Sequence, residues 1–361
     1  MKTWGRFLFL LTFWIIVFLI HSFTYLTTQR VFDLEFLYGY LIIAFLSITF
    51  ILTSIAVRTI KNKLVDVFYF ITASWLGIVF IVFSAVIVYN TISFILGYDS
   101  IVLFSLTLGS SLLLSAYSLF NGRRLTIKNL IIPIINLKQE LRIVHLSDVH
   151  IGTVHQIKFL ERVVKATNDL KPDLVLMTGD LFDGSVPIEE DMLRPLNKLI
   201  VPTYFSTGNH EEYEGLQNVK ATIKDLQMKL LDKEMINFKG VQIIGVKDRS
   251  SIPKEVTLDS ILSELKLSKD KPSILMYHTP VEWESARKHG VDLMLSGHTH
   301  NGQVYPFNLL VRMAFKYING LYNFGDKYLH VSPGTGTWGP PMRLGSSNQI
   351  TLLNLVPKDG T

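Results

Sequence analysis

Four stretches of this chain are long and apolar enough to cross a lipid bilayer, and they constrain its fold more than any other feature. They run over residues 7–26, 36–57, 67–89 and 101–120 and are nearly free of charge. A spanning helix needs about 20 apolar residues, so the sequence predicts four transmembrane helices. No small-residue cleavage site follows the first stretch, so we expect an uncleaved anchor there rather than a signal peptide.

Charge is distributed unevenly along the 361 residues. Residues 1–120 carry only ten charged side chains, whereas the whole chain has 35 Lys and Arg and 30 Asp and Glu. The first third therefore has the composition of a membrane region, and the remainder that of a soluble domain with a large core. That soluble part is nearly neutral, which disfavours nucleic acid as a partner. The absence of cysteine excludes disulfides and thiolate metal ligands.

The segments that flank the apolar stretches are alternately rich and poor in lysine and arginine. Positively charged flanks stay on the cytoplasmic side of a membrane, so we expect both termini and the soluble domain in the cytoplasm. The rich segments contain Lys2 and Arg6, then Arg58, Lys61 and Lys63, and finally Arg123, Arg124 and Lys128, whereas Arg30 is alone in its loop and residues 90–100 have neither.

The apolar stretches contain little that transport would require. His21 is the only titratable residue well within one of them, and it lies near an end. Buried ionisable groups mark transport pathways, so the sequence favours a membrane anchor over a transporter. The fourth stretch is rich in serine, which indicates a face for helix association.

From residue 125 onward the apolar runs become short. Segment 125–137 is strand-like, and Pro133 within it suits an edge strand. Amphipathic patterns over 157–170 and 281–289 predict helices between strands. Alternating strands and helices favour an α/β fold with helices covering sheets. The remaining strand-like runs lie at 141–146, 174–177, 203–205, 241–246, 274–277 and 293–295.

Five short polar segments each follow one of these runs directly. Sites in open α/β sheets form at the carboxyl ends of strands, so we expect the five segments to converge on one edge of the fold. They are Asp148-Val149-His150, Gly179-Asp180, Gly208-Asn209-His210, His278 and Gly297-His298-Thr299-His300.

The side chains in these segments suit two divalent metal ions such as Mn, Fe or Zn. A carboxylate can bridge two ions, and two ions can clamp the attacking and leaving oxygens of phosphoryl transfer. They also lower the pKa of a bridging water, which makes hydroxide available near neutral pH. Isolated histidines are more often structural or solvated, which is our expectation for His145, His155, His289 and His330.

Taken in order, the segments resemble the calcineurin-like metallophosphoesterase superfamily over about residues 140–350. The details around His278-Thr279-Pro280, Gly297–Gln303 and the late loop at 334–345 resemble a bacterial, membrane-associated branch. The resemblance implies a two-sheet α/β sandwich with the metals at one end. The chain then divides into a transmembrane region (1–120), a juxtamembrane linker with the first strand (121–140) and a metallophosphoesterase catalytic domain (141–361).

The resemblance also implies roles for individual residues. One metal would be held by Asp148, His150, Asp180 and His300, and the second by Asp180, Asn209, His278 and His298, with Asp180 bridging. His210 would not be a ligand. It would lie beside the scissile phosphate, where an imidazole can stabilise charge or protonate the leaving oxygen.

Three further residues have open roles. Asp183 either orients a metal ligand through a hydrogen bond or simply caps its loop. Glu211 stands where the family often has Asp, and neither acid is assigned as a ligand. Arg343 either contacts a substrate phosphate or, as we favour, ties down its own loop.

The substrate is the least constrained feature. An anchored enzyme could hydrolyse phosphodiester or pyrophosphate bonds of a lipid-linked substrate, and relatives of this type include enzymes that cleave the pyrophosphate of nucleotide-linked acyl sugars. The apolar side chains after the last motif are either a lip for acyl chains or, as we favour, core; they are Tyr305, Phe307, Leu309, Leu310 and Met313. A non-catalytic metal-binding sensor or scaffold, and a transporter with a phosphoesterase-like regulatory domain, are the alternatives.

Overall fold

The computed structural model describes residues 3–34, 37–184, 186–187 and 190–358. The chain forms two compact units. The first contains the described residues up to Arg123 together with Val304–Pro306 and Gly339–Leu344. We call it the helical unit. The second, here called the sandwich unit, contains the rest of the described chain.

Four long helices form most of the helical unit. Each is long and apolar enough to cross a membrane, in agreement with the sequence, although Phe36, the predicted start of the second stretch, lies outside the described residues. Asn62 and Ser100 cap α3 and α4 by accepting hydrogen bonds from backbone N–H groups. The helices are α1 (Thr3–Phe32), α2 (Gly39–Thr59), α3 (Lys63–Leu96) and α4 (Ile101–Asn121).

The serines of α4 divide by position. Ser111, Ser115 and Ser118 are buried and share one helix face with Phe104, whereas Ser105 and Ser110 lie outside that face. Small residues allow close packing of neighbouring helices. Three of the five serines therefore lie on one buried face, in the second half of α4.

Both ring nitrogens of His21 are engaged within the helical unit. Nδ1 lies 2.8 Å from the Val17 carbonyl oxygen, and Nε2 accepts a 3.0 Å hydrogen bond from Trp75 Nε1. A histidine satisfied in this way serves packing and leaves no nitrogen free to relay a proton.

The two later segments of the helical unit pack against α3 and α4. Val304 and Met342 form an apolar cluster with Ile81. The backbone N–H of Arg343 donates to the Ser118 carbonyl at 2.9 Å. A side chain at Gly122 would meet the Pro341 carbonyl oxygen at 2.4 Å, so the backbones approach more closely than any Cβ allows.

The sandwich unit contains two six-stranded sheets. The first has the order β1-β12-β2-β3-β4-β5, with β2 to β5 parallel, and β1 is at its edge as Pro133 predicts. The second has the order β10-β11-β9-β8-β7-β6. The strands are β1 (Leu125–Ile135), β2 (Leu141–Leu146), β3 (Leu174–Thr178), β4 (Thr203–Ser206), β5 (Lys229–Leu230), β6 (Glu234–Phe238), β7 (Val241–Gly245), β8 (Ser273–Met276), β9 (Leu293–Ser296), β10 (Gly320–Asn323), β11 (Tyr328–Val331) and β12 (Asn348–Lys358).

Three apolar clusters hold the sheets and helices together. The inner faces of the sheets pack on each other through residues such as Ile143 and Met276. Helix α5 covers the outer face of the first sheet, and α9 and α10 cover that of the second. The helices are α5 (Ile157–Asp169), α6 (Glu190–Leu193), α7 (Asn209–Glu214), α8 (Leu216–Ile223), α9 (Leu258–Leu265), α10 (Trp283–Lys288) and α11 (Phe307–Ala314). This arrangement is the predicted two-sheet α/β sandwich.

The apolar run after the last polar segment does not belong to the core. It forms α11, in which no residue is buried. Leu309, Leu310 and Met313 are 51%, 56% and 85% exposed. The preference for core was therefore wrong at this helix, because helical periodicity alone does not show whether another element covers the apolar face.

Candidate metal centre

The polar segments meet where strands of both sheets end. Asp148, Asp180 and Asn209 follow β2, β3 and β4, which are adjacent and parallel. His278 follows β8, and the His298-Thr299-His300 segment follows the neighbouring β9. Because the two sheets face each other, the carboxyl ends of these five strands bring the side chains to one place.

Three clusters of potential metal ligands form there. Within each cluster the donor atoms lie within 4.8 Å of one another. All members are buried except His298, which is half-buried. The clusters are Asp148, His150 and His300; Asp180, His278 and His298; and His150, Asp180 and His210. Each of the first two contains three of the four residues of one ligand set that the family resemblance implies, and the third contains His210, which that resemblance excludes as a ligand.

The first cluster directs ring nitrogens toward a shared point. His150 Nε2 and His300 Nε2 are 3.0 Å apart, and Asp148 Oδ1 is 3.3 Å from His300 Nε2. Two imidazole nitrogens and a carboxylate oxygen are a donor set that Zn, Mn and Fe accept. The buried Nδ1 of His150 has no hydrogen-bond partner.

The second cluster contains another unsatisfied nitrogen. His278 Nδ1 lies 2.7 Å from the Thr178 carbonyl oxygen, an acceptor, so Nδ1 carries a proton and Nε2 is the nitrogen that can bind a metal. That buried Nε2 makes no hydrogen bond, and Asp180 Oδ2 lies 3.2 Å away. Beside that carboxylate the buried nitrogen is stabilised by positive charge, which either a proton on Nε2 or a metal ion bound to it supplies. The residues therefore fit a bound metal ion.

The electrostatics of the site also favour positive charge. Burial disfavours the charged form of His278, but Asp180 outweighs burial and holds the pKa of His278 well above its usual value. Burial raises the pKa of Asp148 to about 6. For Asp180, burial is outweighed by His278 and His210, which keep its pKa well below the usual value. Buried carboxylates thus attract positive charge, which a divalent ion supplies as readily as a proton.

The backbone is strained at five of the proposed ligands. The φ angle is 52° at Asp148, 52° at His150, 53° at Asp180, 69° at His298 and 50° at His300. This left-handed region costs a non-glycine residue of the order of 1 kcal/mol or more. Such strain concentrates at functional sites, because it places side chains where regular strands and helices cannot.

Glu211 is a residue whose importance the sequence did not reveal. It is fully buried, and its carboxylate accepts hydrogen bonds from four backbone N–H groups. Burial, with the nearby Asp180 charge, raises its pKa to about 7. The donors belong to Asp180, Leu181, Phe182 and Gly208. Glu211 thereby fastens the Asp180 loop to the turn that carries Asn209 and His210. A carboxylate three residues after Gly208 at a helix start is the signal that could have identified it.

His210 is held in one orientation. Its Nδ1 lies 2.7 Å from the backbone carbonyl oxygen of Asp183, so Nε2 is free to face the cluster, 3.9 Å from Asp180 Oδ2. The Asp183 carboxylate is 3.7 Å from His150 Nδ1, which exceeds a hydrogen bond. Asp183 therefore orients His210 through its backbone. The exposed rings of Tyr213 and Trp338 flank His210, at 5.2 and 6.2 Å between centroids.

The isolated histidines have structural partners. His145 Nδ1 is 2.9 Å from His330 Nδ1, which joins the two sheets, and His145 Nε2 is 2.7 Å from Thr178 Oγ1. His155 Nε2 accepts from the Thr337 backbone N–H at 2.8 Å. His289 lies 3.0 Å from Asp259.

The comparisons with known proteins agree on one family. A model described as calcineurin-like phosphoesterase matches residues 141–302. An uncharacterized metallophosphoesterase of Helicobacter pylori (strain J99) is 37% identical over 62% of this chain and 62% of its own length. A transmembrane protein with metallophosphoesterase domain from Bos taurus is 34% identical over 60% of this chain and 53% of its own. The chain thus spans about three fifths or less of these two relatives.

A solved structure and a second bacterial relative are also similar to this chain. A crystal structure of a dimetal phosphatase from Danio rerio is 12% identical, with a TM-score of 0.35 over 53% of this chain and 86% of that one. An uncharacterized metallophosphoesterase of Aquifex aeolicus is 32% identical over 61% of this chain and 86% of its own length. Identity at that level across most of a relative establishes that this chain belongs to the calcineurin-like metallophosphoesterase family.

Proposed function

We propose that this protein is a membrane-anchored phosphoesterase with two metal ions, which hydrolyses phosphodiester or pyrophosphate bonds. The observation that carries the proposal is the pair of buried donor clusters, Asp148–His150–His300 and Asp180–His278–His298, with the nitrogen of His210 beside them. Buried carboxylates and imidazole nitrogens held this close together are stabilised by a shared cation.

The proposed ligand sets follow the family motif. Asp148, His150, Asp180 and His300 would hold one ion, and Asp180, Asn209, His278 and His298 the other. When bound, Mn, Fe or Zn would supply Lewis acidity toward the phosphate and lower the pKa of water. Asn209 Oδ1 lies 2.8 Å from His298 Nδ1, so the amide oxygen is already directed at the second set.

The chain's own contribution to chemistry centres on His210. The Asp183 carbonyl fixes the proton on Nδ1, so Nε2 alone can accept or donate a proton at the reacting phosphate. A protonated Nε2 would stabilise charge on a phosphoryl oxygen and then release its proton to the leaving oxygen. His210 is only 7% exposed, which limits competition from bulk water.

The proposed location is an integral, multi-pass membrane protein with its catalytic domain in the cytoplasm. Support comes from four helices of spanning length and from the alternation of Lys and Arg between their flanks. An anchored site meets substrates in the membrane at high effective concentration. A lipid-linked phosphodiester or pyrophosphate is therefore the proposed substrate class.

Two other functions are weaker. A non-catalytic sensor or scaffold would need the donor clusters but not a histidine held with one nitrogen facing them, as His210 is. A transporter would need ionisable groups within the helices, yet both nitrogens of His21 are engaged in packing.

The test uses the full chain in detergent, stripped of metal and resupplied with manganese. We expect hydrolysis of bis-p-nitrophenyl phosphate to exceed that of p-nitrophenyl phosphate and to depend on the metal. Asp180→Asn should abolish both metal binding and activity, and the exposed Asp169→Asn should change neither. Two bound metals without hydrolysis of either ester would favour the sensor.

The proposed preference for a lipid-linked substrate is tested by a separate comparison of two substrates. Turnover of a lipid pyrophosphate in mixed micelles should exceed that of a soluble nucleotide with the same bond. Equal or faster turnover of the nucleotide would rule out the lipid preference while leaving the phosphoesterase activity intact.

A further inference from the structure

The two sides of α11 differ in what they contact. Asn308, Val311 and Phe315 are half-buried and lie at positions i, i+3 and i+7, on the side that packs on the sandwich unit. A side chain at Gly302 would meet the Asn308 backbone at 2.2 Å, so the helix lies tightly against the loop of the last motif. The opposite side is apolar and uncovered, with Leu309, Leu310 and Met313 exposed.

Two short segments, Val304–Pro306 and Gly339–Leu344, belong to the helical unit. The residues where the chain crosses between the two units indicate what covers the apolar side of α11. Pro306 belongs to the helical unit and Phe307 begins α11, so one peptide bond joins them. Trp338 directly precedes Gly339, where the chain enters that unit again. Tyr305, Phe307 and Trp338 are 52%, 44% and 55% exposed. Exposed aromatic residues next in sequence to a unit that spans the membrane are typical of the bilayer interface.

Basic residues near the end of α11 also favour a membrane surface. Arg312 in the last turn of α11 and Lys316, two residues after its end, are both exposed. Basic groups next to an exposed apolar helix face bind anionic headgroups while the apolar side chains enter the acyl boundary.

We propose that α11 lies in the interface of an anionic phospholipid bilayer, with Leu309, Leu310 and Met313 inserted among the lipid chains. The inference rests on the membrane anchoring in the proposed function, though not on catalysis. The ring of Phe315, the residue directly after α11, is 5.3 Å from that of His298. An inserted α11 therefore holds the candidate metal centre at the membrane surface, where bonds in lipid headgroups are within reach.

A fluorescence experiment tests this directly because the chain has no cysteine. Full-length Met313→Cys is labelled with bimane in vesicles of phosphatidylcholine and phosphatidylglycerol that contain lipids spin-labelled near the headgroup and along the acyl chain. We expect strong quenching, no quenching for the exposed Lys158→Cys on α5, and quenching for Leu113→Cys on α4, which is 75% exposed within a predicted span. Quenching at position 113 without quenching at position 313 would overturn the proposal.

Lipid charge and activity separate the remaining possibilities. Without phosphatidylglycerol, quenching should weaken at position 313 but not at position 113, and an unchanged signal would overturn the preference for anionic lipid. Leu310→Ser should reduce turnover of a vesicle-bound substrate and leave hydrolysis of bis-p-nitrophenyl phosphate unchanged. Quenching at position 313 in a protein that hydrolyses no phosphoester would refute the proposed function and support the insertion of α11. Hydrolysis without quenching at position 313 would support the proposed function and refute the insertion of α11.

Discussion

Glu211 Oε2 accepts a 2.9 Å hydrogen bond from the backbone N–H of Asp180, the residue that two of the donor clusters share. Asp180 has a φ of 53°, a strained conformation that a regular strand would not adopt. The buried carboxylate therefore stabilises the backbone that directs the proposed bridging ligand. No pattern in the sequence pairs these two residues, which lie on consecutive strand ends.

Replacing Glu211 should test this role. In Glu211→Gln an amide nitrogen faces backbone N–H donors, and leaving buried groups unsatisfied costs about 1–3 kcal/mol. We expect a lower melting temperature and weaker metal binding, measured by thermal denaturation and metal titration. Glu212→Gln, at an exposed neighbouring position, is the control. If both variants behave like wild type, Glu211 does not hold the site together.

His210→Ala separates metal binding from chemistry. If His210 handles a proton and binds no metal, the variant should retain two metals per chain and lose about 100-fold or more in kcat. Metal content by mass spectrometry and hydrolysis of bis-p-nitrophenyl phosphate measure the two effects. Loss of a metal ion would instead assign His210 to the cluster with His150 and Asp180.

Stability should decline on the acid side because of buried histidines. Burial lowers the pKa of His330 to about 3, while an unfolded histidine has a pKa of about 6.5. The unfolded state alone takes up the proton between these values, so the contribution is complete above pH 6.5 and falls by about 1.4 kcal/mol per pH unit below it. Denaturant unfolding at several pH values should show a shallower acid slope for His330→Gln. An unchanged slope would show that His330 does not titrate in this way.

The close approach at Gly122 predicts a packing defect. An Ala Cβ there would lie 2.4 Å from the Pro341 carbonyl oxygen, which belongs to the backbone and cannot swing aside. We expect Gly122→Ala to destabilise the helical unit by about 1–3 kcal/mol. Gly109→Ala on α4 has no atom within 4 Å and is the control. Detergent melting curves compare them, and equal melting temperatures would contradict the predicted defect.

Membrane topology can be measured by cysteine labelling in intact cells. Tyr98 lies between α3 and α4 and is 62% exposed, so Tyr98→Cys should react with an impermeant maleimide from outside. Lys158→Cys on α5 should react only after permeabilisation. The reverse pattern would place the sandwich unit outside the cytoplasm.

Much of the fold followed from local patterns. Long apolar runs were enough to predict helices α1 to α4, and β2 coincides with the predicted 141–146 segment. Strand β6 was missed because Glu234–Phe238 is half-buried and partly polar. Strand β10 (Gly320–Asn323) is likewise only partly buried, and pairing with β11 rather than local composition stabilises it. Strand β12 was missed although Leu352, Leu353 and Leu355 in it are buried.

The sequence by itself determined which residues could bind metal, since their identity and their positions after strands are local properties. Only the tertiary structure decided that His150 and His300, 150 residues apart, bring their nitrogens within 3.0 Å of each other. It also decided that Glu211 is buried and that α11 is exposed. Burial and long-range contact depend on which other elements pack nearby, and a residue's local sequence does not contain that information.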